Sequence, residues 1–230
     1  MKNIDRWVLW SVFAMGLLFV VLSAGVWATA PFQSVEDFYQ AAVLIESEHG
    51  PGSGCEGWYA GKVWVLTAGH VVEGCGSVNI VEDQEGFRVS RKATVRMLDS
   101  AVDLALLTTD ERGPVEKSLP SLEPVSSVSL GDPLWYSGSG AGTKTWMEKT
   151  HVARFPWKGH GHYDGFLATG KGWYGSSGSA VVTSRYGQAR LAGVLCCSSA
   201  TYCGGEVHKF APLGCQGPRV IKDFLERATK

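Results

Sequence analysis

Three short stretches carry side chains suited to nucleophilic and acid–base chemistry. The first is Tyr174-Gly175-Ser176-Ser177-Gly178-Ser179-Ala180-Val181-Val182. Gly175 and Gly178 let the backbone bend tightly and let a carbonyl group approach closely. A serine on such a turn becomes a nucleophile once a base takes its proton. The same turn can aim backbone N–H groups at a developing oxyanion. On its own, a Gly/Ser cluster is more commonly a plain loop. In the second stretch, Val65-Leu66-Thr67-Ala68-Gly69-His70, a histidine follows an apolar strand in a turn of small residues, where its ring can face a cleft. A lone histidine there reads just as well as a satisfied surface or core residue. The third stretch is Ala101-Val102-Asp103-Leu104-Ala105-Leu106-Leu107. It sets one carboxylate at the start of an apolar strand. Burying an unpaired carboxylate is costly, so Asp103 needs a partner, either loop N–H groups or an imidazole.

The three residues follow one another in the order His70, Asp103, Ser177. That order differs from those of subtilisin and the α/β-hydrolases. With the motifs Leu66-Thr67-Ala68-Gly69-His70, Asp103-Leu104-Ala105 and Gly175-Ser176-Ser177-Gly178-Ser179, the chain resembles the chymotrypsin-like (trypsin-like) serine protease superfamily. The resemblance runs roughly from Val43 to the C-terminal helix. It implies that Ser177 Oγ attacks a scissile peptide carbonyl, that His70 takes and returns the proton, and that Asp103 orients His70. It implies an oxyanion hole formed by the N–H groups of Gly175 and Ser177, with no metal or cofactor. Cys55, 15 residues before His70, resembles the family cysteine that closes the histidine loop. Its usual partner follows the histidine directly. Val71 stands there, so the resemblance implies Cys75 instead.

Two departures narrow the resemblance. Digestive members carry an Asp before the nucleophile to capture a new N-terminal amine, and here Ser176 stands in that place. No Arg-Ile-Val-Gly-Gly activation site precedes the first strand. The chain is therefore more similar to bacterial or viral members than to digestive zymogens, with no switch of that kind expected. The resemblance places Lys171, six before the nucleophile, at the base of the primary pocket. It makes Leu195, Cys196, Cys197 and Ser198 the pocket wall that pairs with substrate backbone, and His208 the far side. A lysine and a histidine there imply a preference for an acidic residue before the scissile bond. A different class of function, a catalytically inactive protease-like binding or scaffold module, stands beside the enzyme reading, as does a pure esterase.

The elements that must position these residues are short. Strands are expected at Ala41–Ile45, Cys55–Ala60, Val63–Thr67, Ser77–Glu82, Ala93–Leu98 and Asp103–Thr108. Gly50-Pro51-Gly52-Ser53-Gly54 reads as a turn cluster, and Gly61-Lys62 as a hairpin turn. Thr109 to Leu130, rich in Ser, Pro and Glu, reads as a connection. Further strands are expected at Pro133–Ser137, Thr145–Phe155, Phe166–Thr169, Ser179–Ser184, Ala189–Cys196 and around Val207–Ala211. Val220, Ile221, Phe224 and Leu225 recur at helical spacing, which predicts an amphipathic helix from Pro218 onward. The expected fold is all-β. It has two six-stranded antiparallel barrels and a C-terminal helix, preceded by an N-terminal hydrophobic helix. Residues 34–120 would form the first barrel, and 121–230 the second with the helix.

Composition bounds the rest. A net charge of −1, with no basic stripe, gives no support to a nucleic-acid partner. Protein or peptide substrates are the expected partners. Lys2 and Arg6 precede an uncharged, mostly apolar run from Trp7 to Ala28. At about 22 residues, or about 33 Å of helix, that run can span a bilayer. Residues 1–30 read either as a retained signal anchor or as a cleaved signal peptide, with the domain outside the cytoplasm in both cases. Export suits the six cysteines, Cys55, Cys75, Cys196, Cys197, Cys203 and Cys215, as disulfide candidates whose pairing the sequence leaves open. A zinc site from Cys196 or Cys197 with Cys203, His208 and Cys215 is the rival reading, although its spacing is not a standard one.

Overall fold

Alternating inward and outward side chains along short strands require a closed or covered sheet. In the computed structural model they form two closed barrels. The structure describes residues 33–84, 87–109, 119–138, 146–157, 165–170, 172, 174–185, 187–198 and 213–230. The first barrel comprises β1 (Ala42–Ser47), β2 (Gly50–Tyr59), β3 (Lys62–Ala68), β4 (Ser77–Gln84), β5 (Phe87–Asp99) and β6 (Leu104–Thr109). They close antiparallel in the order β1-β2-β3-β6-β5-β4. The second comprises β7 (Pro133–Gly138), β8 (Trp146–Trp157), β9 (Gly165–Ala168), β10 (Ala180–Arg185), β11 (Gln188–Ser198) and β12 (Leu213–Gln216). Its closed order is β10-β11-β12-β9-β8-β7. Among the described residues two helices flank the barrels, α1 (Val35–Gln40) and α2 (Pro218–Ala228). The expected all-β fold, with two six-stranded barrels and a C-terminal helix, is the observed one.

β6 shows why its sequence is apolar throughout. Ala105 and Leu107 point into the first barrel beside Val43, Ile45, Val65 and Ile80. Leu104 and Leu106 point the other way, into a cluster with Cys55, Leu66, Val182, Leu191, Ile221 and Phe224. That cluster draws on β2, β3 and β6 of one barrel, on β10 and β11 of the other, and on α2. Burial on both faces removes the polar half of the alternation. α2 begins with Pro218 after Gly217 and buries Ile221, Phe224 and Leu225, as its spacing predicts. Arg227 on α2 donates to Asp99 Oδ2 on β5 at 2.7 Å.

Four expectations change. Gly50–Gly54 is not a turn but the start of β2, paired with β1 from Ser47↔Gly50 to Ala42↔Cys55. A Cβ on Gly54 would lie 2.9 Å from Val65 Cγ1 and 3.0 Å from Ile45 Cδ1. Here glycine serves close packing inside a barrel rather than a bend. The β2–β3 hairpin turns on Ala60-Gly61, with φ of 48° and 75°, one residue earlier than expected. α1 occupies a stretch before the first strand for which no helix was expected. Ser34 caps it by accepting from Asp37 N–H, Asp37 answers at the cap's own N–H, and Phe38 is buried. β12 was not expected, because four residues that include a glycine and a glutamine give no strand pattern. The expected strand at Val207–Ala211 lies outside the described residues, as does the N-terminal run. Among the described residues no helix is long and apolar enough to cross a membrane.

Candidate active site

His70 lies in a single 3₁₀ turn, Gly69–Val71, at the end of β3. Val71 and Val72 pack into the first barrel while the His70 side chain stays 45% exposed. Gly69 lets this turn touch the chain at Asp103: a Cβ there would lie 3.1 Å from Leu104 N and 3.2 Å from Asp103 C. Asp103 directly precedes β6 and is 3% exposed. Its φ of 52° is left-handed, a conformation that Asp tolerates better than most residues. That backbone aims the carboxylate at His70. Oδ1 accepts from the His70 backbone N–H at 2.8 Å. Nδ1 of the ring lies 3.0 Å from Oδ1 and 2.9 Å from Oδ2. An ionised carboxylate only accepts, so Nδ1 is the donor and the neutral ring keeps its lone pair on Nε2. The pair can therefore supply an oriented base.

Ser177 lies on a turn between Gly175 and Gly178, with φ of 95° and 92°. Both conformations are open to glycine and strained for other residues. The turn is held from several sides. Gly178 N–H donates to Leu195 O at 2.7 Å, and Leu195 N–H to Ser179 O at 2.9 Å. Ser176 O accepts from both the N–H and the hydroxyl of Ser179, at 3.1 and 2.7 Å. From the first barrel, Ser53 on β2 donates its N–H to Ser177 O and its hydroxyl to Gly175 O, both at 2.7 Å. Thr67 on β3 holds Ser53 in turn, donating to its carbonyl at 2.6 Å. A Cβ on Gly178 would strike Ser53 O and Thr67 Oγ1. Among the described residues the N–H groups of Gly175 and Ser177 have no protein acceptor. The Ser177 hydroxyl donates to Cys196 O at 3.3 Å.

The pocket residues fare unevenly. Lys171 and His208 lie outside the described residues, as does Cys203. Leu195 points into the second-barrel core beside Phe166 and Val181, so it offers its backbone rather than its side chain to the turn. Cys196 is buried, and its thiol donates to Gly214 O. Cys197 and Ser198 continue β11, paired with Gly214 and Leu213. Sequence reasoning missed Ser53 and Thr67. The signal was present in Gly52-Ser53-Gly54, which was read as a turn.

The disulfide expectation needs correction. Cys55, Cys75, Cys196 and Cys215 are not cross-linked. Cys55 faces the cluster between the barrels, whereas Cys75 packs against the interior of the first barrel. A barrel wall separates them. The 15-residue spacing to His70 is therefore not a loop closure. Burial, with the Glu56 charge adding to it, pushes the Cys55 thiol up to about 12, so it stays protonated at neutral pH. Cys215 lies in the second-barrel core.

Comparison with known proteins fits this geometry. The trypsin-like peptidase domain model matches residues 52–194. The serine endoprotease from Yersinia pestis superposes with a TM-score of 0.61 at 19% identity, over 84% of this chain. This chain spans 64% of that one's length. The MamO protease domain from Magnetospirillum magneticum, in its apo form, superposes with a TM-score of 0.62 at 16% identity, covering 82% of this chain and 97% of that one. At such identities these likenesses carry the fold alone. None of the curated proteins matches. From the domain match, which reaches from β2 through the Ser177 turn to β11, the chain belongs to the family of trypsin-like peptidase domains.

Proposed function

We propose that the protein is a serine endopeptidase acting on proteins or peptides through His70, Asp103 and Ser177. The observation that carries this reading is the double hold of Asp103 on His70, at the backbone N–H and at Nδ1, which leaves Nε2 as the base. Ser177 is the nucleophile, set on a glycine-bounded turn. His70 takes its proton and delivers it to the leaving amine. The carbonyl oxygen, negative in the tetrahedral intermediate, is received by the N–H groups of Gly175 and Ser177. One such donor is worth about 3–4 kcal/mol of barrier. The acyl-enzyme is then released by water, with His70 again as the base.

The hydroxyl of Ser177 has to turn from Cys196 O toward His70 to react. Its present hydrogen bond is the observation that favours the rival reading, a protease-like binding module without activity. A fluorophosphonate separates the two. The enzyme reading expects covalent labelling that His70→Ala abolishes, and the module reading expects none.

The site works outside the cytoplasm in this proposal. Support comes from Lys2, Arg6 and the apolar run Trp7–Ala28. The intact mass of the mature protein in a membrane fraction distinguishes a retained anchor from a cleaved leader. Recovery of the uncleaved chain in the cytoplasm would sink export.

A further inference from the structure

The turn that bears Ser177 belongs to the second barrel, yet a residue of the first barrel bonds to it on both sides of the nucleophile. Ser53 is 1% exposed. Its backbone N–H reaches Ser177 O and its hydroxyl reaches Gly175 O. The two contacts differ in what they fix. The N–H bond ties two main chains together and any residue but proline at position 53 could make it. The hydroxyl bond sets the direction of the Gly175–Ser176 peptide, and only a side-chain donor can supply it. Gly175 has no Cβ and a φ of 95°, so its own backbone imposes little restraint on that peptide. Thr67, donating to Ser53 O, keeps Ser53 in place from the next strand.

We infer that Ser53 is a positioning residue for the oxyanion-binding turn: its buried hydroxyl holds Gly175 so that the N–H groups of Gly175 and Ser177 converge on one point. The inference rests on the serine-peptidase reading above. Both bonds from Ser53 end on backbone carbonyls of the turn, so it acts through the turn. Without the hydroxyl, Gly175 O is buried with a donor removed, and the Gly175–Ser176 peptide relieves this by rotating, which turns the adjoining peptides that carry the Gly175 and Ser177 N–H groups. The oxyanion then loses part of its stabilisation, while ground-state binding of a peptide along the cleft is unaffected. The signature is a loss confined to the transition state.

The test is steady-state hydrolysis of a peptide substrate by the full chain, with rates counted per fluorophosphonate-titrated site. Ser53→Ala is expected to lower kcat per site about tenfold with KM within about twofold, since a lost buried hydrogen bond and a lost oxyanion donor bracket the effect. Affinity for a peptidyl boronic acid, which mimics the tetrahedral intermediate, should fall by a similar factor. Ser53→Thr, which keeps the hydroxyl, should restore most of kcat. A purely structural role would lower the number of titratable sites or the melting temperature while leaving kcat per site and boronate affinity unchanged, and that result would overturn the inference. If Ser53→Ala does not fold, Ser53→Cys, which fills the space with a weak donor, takes its place: a lower kcat at constant KM supports the inference, and a wild-type kcat overturns it. Wild-type protein inert to both substrate and fluorophosphonate would overturn the peptidase reading and this inference with it. An active wild type with unaltered Ser53 variants would overturn this inference alone.

Discussion

His70 and Asp103 are both carried by the first barrel, and the bonds between them close within it. Asp103 directly precedes β6, His70 lies in the turn that follows β3, and those strands are paired from Val65↔Leu107 to Ala68↔Leu104. Ser177 is carried by the second barrel, but its turn is completed from the first, by Ser53 and by the space that Gly178 leaves for it. One half of the site is thus held within a single barrel. The other half is completed across the seam between the two barrels. The cluster between them, with Cys55, Leu66, Leu104 and Leu106 meeting Val182, Leu191 and Phe224, is therefore part of the scaffold of the candidate site.

The two halves should break differently. Asp103→Asn strikes the half that is closed within one barrel. Its amide would present a donor to Nδ1 and shift the ring proton to Nε2, the wrong tautomer. We expect kcat to fall by about 10⁴-fold, with the Ser177 turn intact and thermal stability changed far less than activity. Steady-state kinetics beside a melting curve read both quantities. A large loss of stability in step with activity would mean that Asp103 is mainly structural.

Gly178→Ala strikes the seam. Its Cβ would meet the Ser53 carbonyl, a backbone atom that cannot swing away, and φ of 92° is strained for alanine. We expect a loss of about 3 kcal/mol in stability together with loss of activity. Denaturant unfolding measures the first and peptide hydrolysis the second. Wild-type behaviour would mean that the barrels are not in contact at this turn.

The smallest effect lies away from both halves, where Arg227 of α2 meets Asp99 of β5. Burial alone would raise the Asp99 carboxyl, but the Arg227 hydrogen bond and charge, with the Val102 and Ala101 N–H groups, outweigh it and hold it below its usual value. A carboxyl with a depressed folded pKa contributes stability above its unfolded value, about 3.9. That contribution is lost as pH falls through the folded value. Because Arg227 is half exposed, the contribution is under about 1 kcal/mol. Urea midpoints at pH 7 and pH 3 should converge between wild type and Asp99→Asn. A constant gap between them would exclude the linkage.

Much of this was legible from residue types. His70, Asp103 and Ser177 stand out because small residues or apolar strands surround them in an order that one chemistry uses. The barrel strands showed because short runs of β-branched and apolar residues stand between glycine-rich and polar turns. What stayed hidden has physical causes. Glycine serves bends and close approaches alike, so Gly52-Ser53-Gly54 read as a turn and Ser53 went unseen. Cysteine spacing says nothing about which face of a strand a thiol occupies. Cys55 lies opposite Leu66 in the β2–β3 register, and both point toward the second barrel, away from Cys75. β12 escaped because its place in the sheet comes from β9 and β11 on either side rather than from its own four residues.

The central claim is that Ser177 is a nucleophile activated by His70. Its most direct test is mass spectrometry of the intact and digested protein after exposure to a fluorophosphonate. The account predicts a single adduct on the peptide that contains Ser177, present in wild type and absent in His70→Ala. An unlabelled wild type, an adduct on another serine, or labelling that persists without His70 would contradict it.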